Sequence, residues 1–230
     1  MIDSIYKLVQ VISNKEYRGH ISPASLNLLG KQAQEKIFRG YFDDENRDKI
    51  RAKRGMVERG YANITMVQRE RMDNFSKTAS LSYSDPYFLF PNDLYMIKDR
   101  GLSYQGKFIR ELQTQDISSI GLSKAAASET FPAYYKESSG LIVMPSSITN
   151  SVSLRYFKTP TDPKWTYTVV GGVEMFNPSA GDYQDFELHP SEYYNICINI
   201  LSPLGINLSQ TELAQYAEAL KQKQNIKEEQ

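Results

Sequence analysis

Residues 141–169, LIVMPSSITNSVSLRYFKTPTDPKWTYTV, decide the fold class. They read as three strands separated by proline. Leu141 to Met144 is a short apolar run ended by Pro145. Val152 to Phe157 alternates around Leu154 and Tyr156. Thr159-Pro160-Thr161-Asp162-Pro163 then breaks the chain, and Trp165 to Val170 resumes it. Proline fixes φ and has no N–H to donate, so each one closes a strand. The stretch predicts a scaffold of pairing strands, with Trp165 as an aromatic anchor beside the turn at Pro160 and Pro163.

The pattern continues on both sides. Leu81 to Tyr83, Tyr87 to Phe90, Leu94 to Lys98 and Phe108 to Leu112 are short β-type runs, punctuated by Asp85-Pro86, Pro91-Asn92-Asp93 and Gly101. Ile117 to Leu122 suits a helical turn. Beyond the opening stretch, the paired glycines of Val170-Gly171-Gly172-Val173 suit a hairpin turn, with Met175-Phe176 in the return strand.

Helices flank this region. Ile2, Ile5, Tyr6, Leu8, Val9 and Ile12 fall at helical spacing. Ser22-Pro23 opens a second helix, with a stripe of Leu26, Leu29, Ala33, Ile37 and Tyr41 and an expected end near residue 45. Ile64, Val67, Arg71, Met72 and Phe75 predict a third, to about Lys77. At the other end, His189-Pro190-Ser191-Glu192 starts a helix carrying Tyr193, Tyr194, Ile196, Cys197, Ile200 and Leu201, ended by Pro203 and Gly205. Ser209 and Glu212 form a capping box for a last helix through Leu213, Tyr216, Ala217 and Leu220. Segregated runs of this kind predict an α+β fold: N-terminal helices (1–80), a central antiparallel or mixed β-sheet with proline-closed strands (81–188), and two C-terminal helices (189–230), all in one compact unit.

Composition excludes several classes. At 230 residues the chain can bury a core without metal or disulfide staples. Cys197 is its single cysteine, so no internal disulfide framework exists, which suits synthesis in a reducing compartment. The start, MIDSIYKLVQVIS, lacks the basic region and cleavage site of a signal peptide, and no apolar run reaches the roughly 20 residues of a membrane helix. The expectation is a protein made in the cytoplasm, away from membranes.

The sequence points away from catalysis. His20 and His189 are the only histidines and are not at metal-ligand spacing. A Cys197–His189 nucleophile pair is conceivable, but Cys197 sits in the apolar run YYNICINIL, where a buried cysteine behaves as a small hydrophobe. GLSYQG at 101–106 has the glycines of a phosphate loop, but Lys107 is followed by Phe108 where Ser or Thr would hold magnesium. Asp43-Asp44-Glu45 lacks calcium-loop spacing. No catalytic residue, cofactor or metal site is predicted.

Charge is the more informative feature. The chain is neutral overall, but residues 1–80 hold 15 basic and 10 acidic residues, net +5, and the remainder holds 12 and 17, net −5. Arg47 to Arg59 concentrates six basic residues, Arg47, Lys49, Arg51, Lys53, Arg54 and Arg59, against two acidic ones. It reads as a solvated loop or as an arm touching phosphate or an acidic partner. With 16 tyrosines and proline-closed strands, these features favour a surface that packs against other subunits over a pocket that turns over substrate.

The succession of Pro145, Leu154-Arg155-Tyr156-Phe157, Thr159-Pro160 and Pro163-Lys164-Trp165, followed by Asp185-Phe186-Glu187-Leu188-His189-Pro190, the apolar helix and Leu204-Gly205-Ile206-Asn207-Leu208, resembles virion neck proteins of crAss-like, short-tailed bacteriophages. Ile21-Ser22-Pro23-Ala24-Ser25-Leu26-Asn27 with Gln32-Ala33-Gln34 fits the same resemblance. The matched motifs are structural and span about half of the chain, mainly residues 130–220. The resemblance implies a non-enzymatic virion protein without cofactor: a homo-oligomeric ring, twelvefold to match a portal, in the head–tail connector. Its partners would be further copies of itself, the portal, other neck or tail proteins and, non-specifically, packaged DNA. Two other readings stay open: a nucleic-acid-binding accessory protein using residues 47–59, and an enzyme built on Cys197 and His189.

Overall fold

The computed structural model describes residues 1–15, 19–53, 69–113, 127–206, 213 and 215, with the side chains of residues 44–53 outside the description. The fold is α+β, as the sequence predicts. The chain divides into two compact units. Residues 75–159 form one, and residues 1–74 with 160–230 form the other. These boundaries differ from a division in chain order at 80 and 188, because the segment after Pro160 returns to the N-terminal helices.

The first unit begins with α1 (Ile2–Lys15), whose predicted apolar positions are all buried. Helix α2 (Pro23–Lys53) follows, with Ser25 N–H donating to Ser22 Oγ at 3.2 Å in front of its first turn. Its buried face is Leu26, Ala33, Phe38, Tyr41 and Phe42. Ile37 is only partly covered, so the stripe drifts from the sequence reading by one residue. The helix also runs past residue 45. Residues 41–53 contain neither Gly nor Pro and include two Arg and two Lys, good helix formers, while Gly40 alone costs only about 1 kcal/mol. Arg47, Lys49, Arg51 and Lys53 therefore lie on the last turns of a helix, not in a loop. Residues 69–73 are helical, but the helix stops there instead of at Lys77, because Ser76–Ser80 pairs as a strand.

The second unit is built from β1 (Ser76–Ser80), β2 (Tyr83–Ser84), β3 (Tyr87–Phe88), β4 (Leu94–Tyr104), β5 (Lys107–Phe108), β6 (Arg110–Glu111), β7 (Ala133–Glu137), β8 (Gly140–Met144) and β9 (Val152–Lys158). They form an antiparallel four-stranded sheet, β1-β9-β4-β5, and a mixed five-stranded sheet, β2-β3-β8-β7-β6. One core joins both sheets: Leu102, Val152, Leu154 and Tyr156 from the first, Phe88, Tyr134, Leu141 and Val143 from the second, with Leu81, Ile109 and Ile148 from connections.

Two details of this unit matter below. First, β4 is longer than expected because Gly101 does not end it. Ile97 pairs with Tyr156 and Leu102 with Leu154, so residues 98–101 bulge opposite the single residue Arg155. A Cβ on Gly101 would lie 2.4 Å from Arg155 O, which is why glycine sits there. Second, Asp93 ties three strands together. It accepts from Lys77 Nζ (2.7 Å) and Tyr156 Oη (2.7 Å), while its carbonyl accepts from Thr159 N–H (2.8 Å). The bond from Lys77, then that from Tyr156, holds the Asp93 carboxyl below the usual carboxylate range.

The chain re-enters the first unit at Pro160 and forms the hairpin β10 (Tyr167–Val170) and β11 (Val173–Phe176), which among the described residues pair only with each other. A 3-10 turn, Pro190–Glu192, leads into α3 (Tyr193–Leu201), which packs against α1 and α2. His189 caps that turn, its Nδ1 accepting from Ser191 N–H at 3.2 Å. A second 3-10 turn, Ser202–Leu204, ends at Gly205, which is left-handed at φ 77°. Buried Glu192 pairs with Arg71 Nη1 at 2.6 Å and accepts from Asn195, fixing residues 69–73 to the start of α3. The predicted capping box at Ser209 and Glu212 and all but Leu213 of the last helical stripe lie outside the described residues, as do the turn at 117–122 and Ile64 and Val67 of the third helix.

Candidate interaction site

Trp165 organises the first unit. It is 2% exposed. Its ring stacks on Tyr6 of α1 at 4.0 Å and on Tyr167 and Phe176, at the base of the hairpin, at 5.8 Å each. Its indole N–H donates to Asp3 Oδ1 at 3.2 Å. A buried indole that both stacks and finds an acceptor is held in one orientation.

The backbone on either side of Trp165 is fastened to one face of α2. Asn27 Oδ1 accepts from Trp165 N–H (2.8 Å) and Asn27 Nδ2 donates to Trp165 O (3.3 Å). Lys31 Nζ pairs with Asp162 (2.7 Å), and buried Gln34 donates to Thr161 O (2.7 Å) while accepting from Glu187 N–H (3.0 Å). Residues 27, 31 and 34 recur every four or three positions, so they share one face. Pro160 and Pro163 are both buried, and Pro163 lies with Phe186 against Gly30, where an added Cβ would meet the Phe186 ring at 3.2 Å. The predicted anchor is thus a clamp between α1, α2 and the hairpin. Its polar half was not legible, because Asn27 and Gln34 look like any solvated helix residues.

From this base the hairpin projects. Gly171 and Gly172 have φ of 60° and 81°, the pair of positive values that a two-residue turn of this hand requires. The register Tyr167↔Phe176, Thr168↔Met175, Val169↔Glu174 and Val170↔Val173 sorts the side chains. Tyr167, Phe176, Val169 and Glu174 lie on the face that includes Trp165 and Tyr6 at its base, with Val169 exposed. Thr168, Met175, Val170 and Val173 form the other face. That outer face carries no charge, and Val170, Val173 and Met175 are 58%, 63% and 53% exposed.

Beside the hairpin is an open depression of about 500 Å³ lined by Tyr6, Gln10, Asn14, His20 and Glu174, with Gly172 and Val173 at the rim. Tyr6 Oη donates to Glu174 at 3.3 Å, Gln10 Nε2 donates to Tyr6 Oη at 3.2 Å, and His20 Nε2 lies 3.5 Å from Glu174. These groups satisfy one another and fix the return strand to α1.

The other sequence candidates separate. Cys197 is fully buried, and burial pushes its thiol up to about 12, so it presents no thiolate; His189 is exposed and bonded to Ser191. Among the described residues no group of three His, Cys, Asp or Glu could hold a metal, and no helix is long and apolar enough to cross a membrane. Of the basic set, the backbones of Arg47, Lys49, Arg51 and Lys53 are on α2, while Arg54 and Arg59 lie outside the described residues. No protein-family model matches the chain, and no curated protein matches its sequence.

Proposed function

We propose that this chain is a structural subunit of a phage virion, forming with copies of itself a ring in the head–tail connector below the portal, around the DNA channel. The observation that supports this most is the hairpin: a ribbon whose outer face is uncharged, apolar and largely exposed, on a base clamped by Trp165. An exposed apolar face of this kind suits the core of an association site when it joins a larger contact. The ribbon has two strands of four residues, so its face spans roughly 13 Å by 10 Å. That is well below the roughly 800 Å² per partner of a stable interface. The hairpin is therefore one element of a larger contact, as in a ring where one face of each subunit meets a different face of the next. The resemblance to neck proteins supplies the assembly. In this reading the chain has no catalytic role, and its place is the mature virion.

The test is particle mass by sedimentation, with negative-stain imaging, for the chain alone and mixed with its portal. Closed rings, alone or on the portal, are expected. A chain that remains monomeric in both conditions contradicts the proposal.

A further inference from the structure

The four-stranded sheet of the second unit has an outer face unlike the rest of its surface. The register places Ser76, Thr78 and Ser80 of β1 opposite Phe157, Arg155 and Ser153 of β9, and Met96 and Ser103 of β4 opposite Phe157 and Ser153. Phe108 of β5 sits opposite Ser103. All these residues point away from the core lined by Val152, Leu154 and Tyr156, because side chains alternate along a strand. None is acidic.

The bulge at 98–101 adds two more cations to this face. Lys98 Nζ lies 4.5 Å from the Phe157 ring centroid, and the Arg100 guanidinium lies 5.9 Å from that of Phe108. Arg155, the residue opposite the bulge, is exposed, as is Arg100, and among the described residues neither has a carboxylate partner. Arg100 holds φ at 51°, a strained value for a residue with a side chain, so the backbone is bent to put it there. Of the nearby acids, Asp93 is paired with Lys77, and Asp99 is an exposed residue of the bulge, between Lys98 and Arg100. The face thus combines Lys98, Arg100 and Arg155 with a row of hydroxyls.

We infer that this sheet face binds the phosphate backbone of duplex nucleic acid without reading its sequence. A duplex carries one negative charge per about 1.7 Å of axis, so a face four strands wide meets several phosphates at once. The cations supply attraction, and serine and threonine hydroxyls are common phosphate donors. Stacking of unpaired bases is not favoured, because Phe157 is buried and both rings have a cation over them. The inference concerns a different surface from the hairpin and stands whether or not the chain forms rings.

The experiment is fluorescence anisotropy of a labelled mixed-sequence 30-base-pair duplex with the full chain across a salt series. Each phosphate contact contributes a slope of about −0.9 in log K against log salt, so a slope of about −2 to −3 per chain is expected. The variant Arg100→Ala/Arg155→Ala should lose about 2 from that slope and at least about tenfold in affinity at low salt. Its melting profile and sedimentation should match wild type, and Arg100→Lys/Arg155→Lys should restore most binding. Unchanged binding by the alanine variant overturns the inference, as does absence of binding at low salt. A single-stranded oligomer binding more tightly than duplex overturns the backbone assignment. Polyglutamate competing as well as DNA at equal charge would show a site for acidic partners in general and likewise overturn it. Particle mass does not enter these outcomes, so failure here is distinguishable from failure of the ring proposal.

Discussion

The two units solve the same problem by different means. The second is a continuous stretch of chain whose strands, nine among the described residues, cover one core, and its most distinctive surface is cationic. The first is assembled from both ends of the chain around a single aromatic, with few strands, and its most distinctive surface is an apolar ribbon. Local continuity lets the second unit rely on ladder pairing and apolar burial. The first must join segments 127 to 153 residues apart, and it does so with side chains that bond backbone: Asn27 to Trp165, Gln34 to Thr161 and Glu187. Specific bonds replace a regular sheet where the sequence separation is large.

Removing Trp165 should break this contrast most severely. Trp165→Ala empties the stack on Tyr6, Tyr167 and Phe176 and removes the indole donor to Asp3 Oδ1, at a cost of about 3–5 kcal/mol. Chemical denaturation followed by amide exchange should show the loss in residues 1–15, 19–43 and 160–206, with protection in 75–113 and 127–159 retained. Equal loss in both units would mean that they do not differ as described.

Next in size is the buried ion pair of the first unit. Arg71→Met leaves Glu192 buried without its cation and should cost about 3 kcal/mol in urea titration. Arg71→Met/Glu192→Leu should recover most of it. A single variant as stable as wild type would show that the pair contributes little.

In the second unit the sensitive point is backbone spacing. Gly101→Ala sets a Cβ against Arg155 O and should cost about 1–3 kcal/mol, read as a lowered melting temperature. It should also weaken DNA binding by moving the bulge that carries Arg100. The smallest effect is acid sensitivity. Asp93 has a depressed pKa in the fold, so its contribution is fully present above the unfolded value, about 3.9, and is lost as pH falls through the folded value. Asp93→Asn should flatten the fall in second-unit stability below about pH 4, measured by thermal melts from pH 6 to 2. An unchanged profile would assign acid sensitivity elsewhere.

The contrast also explains what could be read from sequence. The α1 stripe, the glycine-pair hairpin and the proline-ended strands depend on local patterns and were legible. The three strands of 141–169 were legible as strands, but not as members of three different sheets: β8 lies in the five-stranded sheet, β9 in the four-stranded one and β10 in the hairpin. Partner choice depends on register with distant segments, which one sequence does not display. The same holds for the cationic face. Lys98, Arg100 and Arg155 are unremarkable until β4 and β9 are aligned, and Gly101 reads as a terminator until Arg155 O is seen beside it. The basic residues 47–59 stood out because they are contiguous, which says nothing about what they touch.

The central claim is that the outer face of the hairpin is buried between subunits. It is tested most directly by sedimentation of wild type and Val170→Asp/Val173→Asp under identical conditions, with portal present. Both substitutions fall at exposed positions, and although Val170 and Val173 are cross-strand partners, two like charges there should cost no more than about 1 kcal/mol, so the variant should still fold. The account predicts rings for the wild type and folded monomers for the variant. Rings of equal mass and stability from both proteins would contradict it.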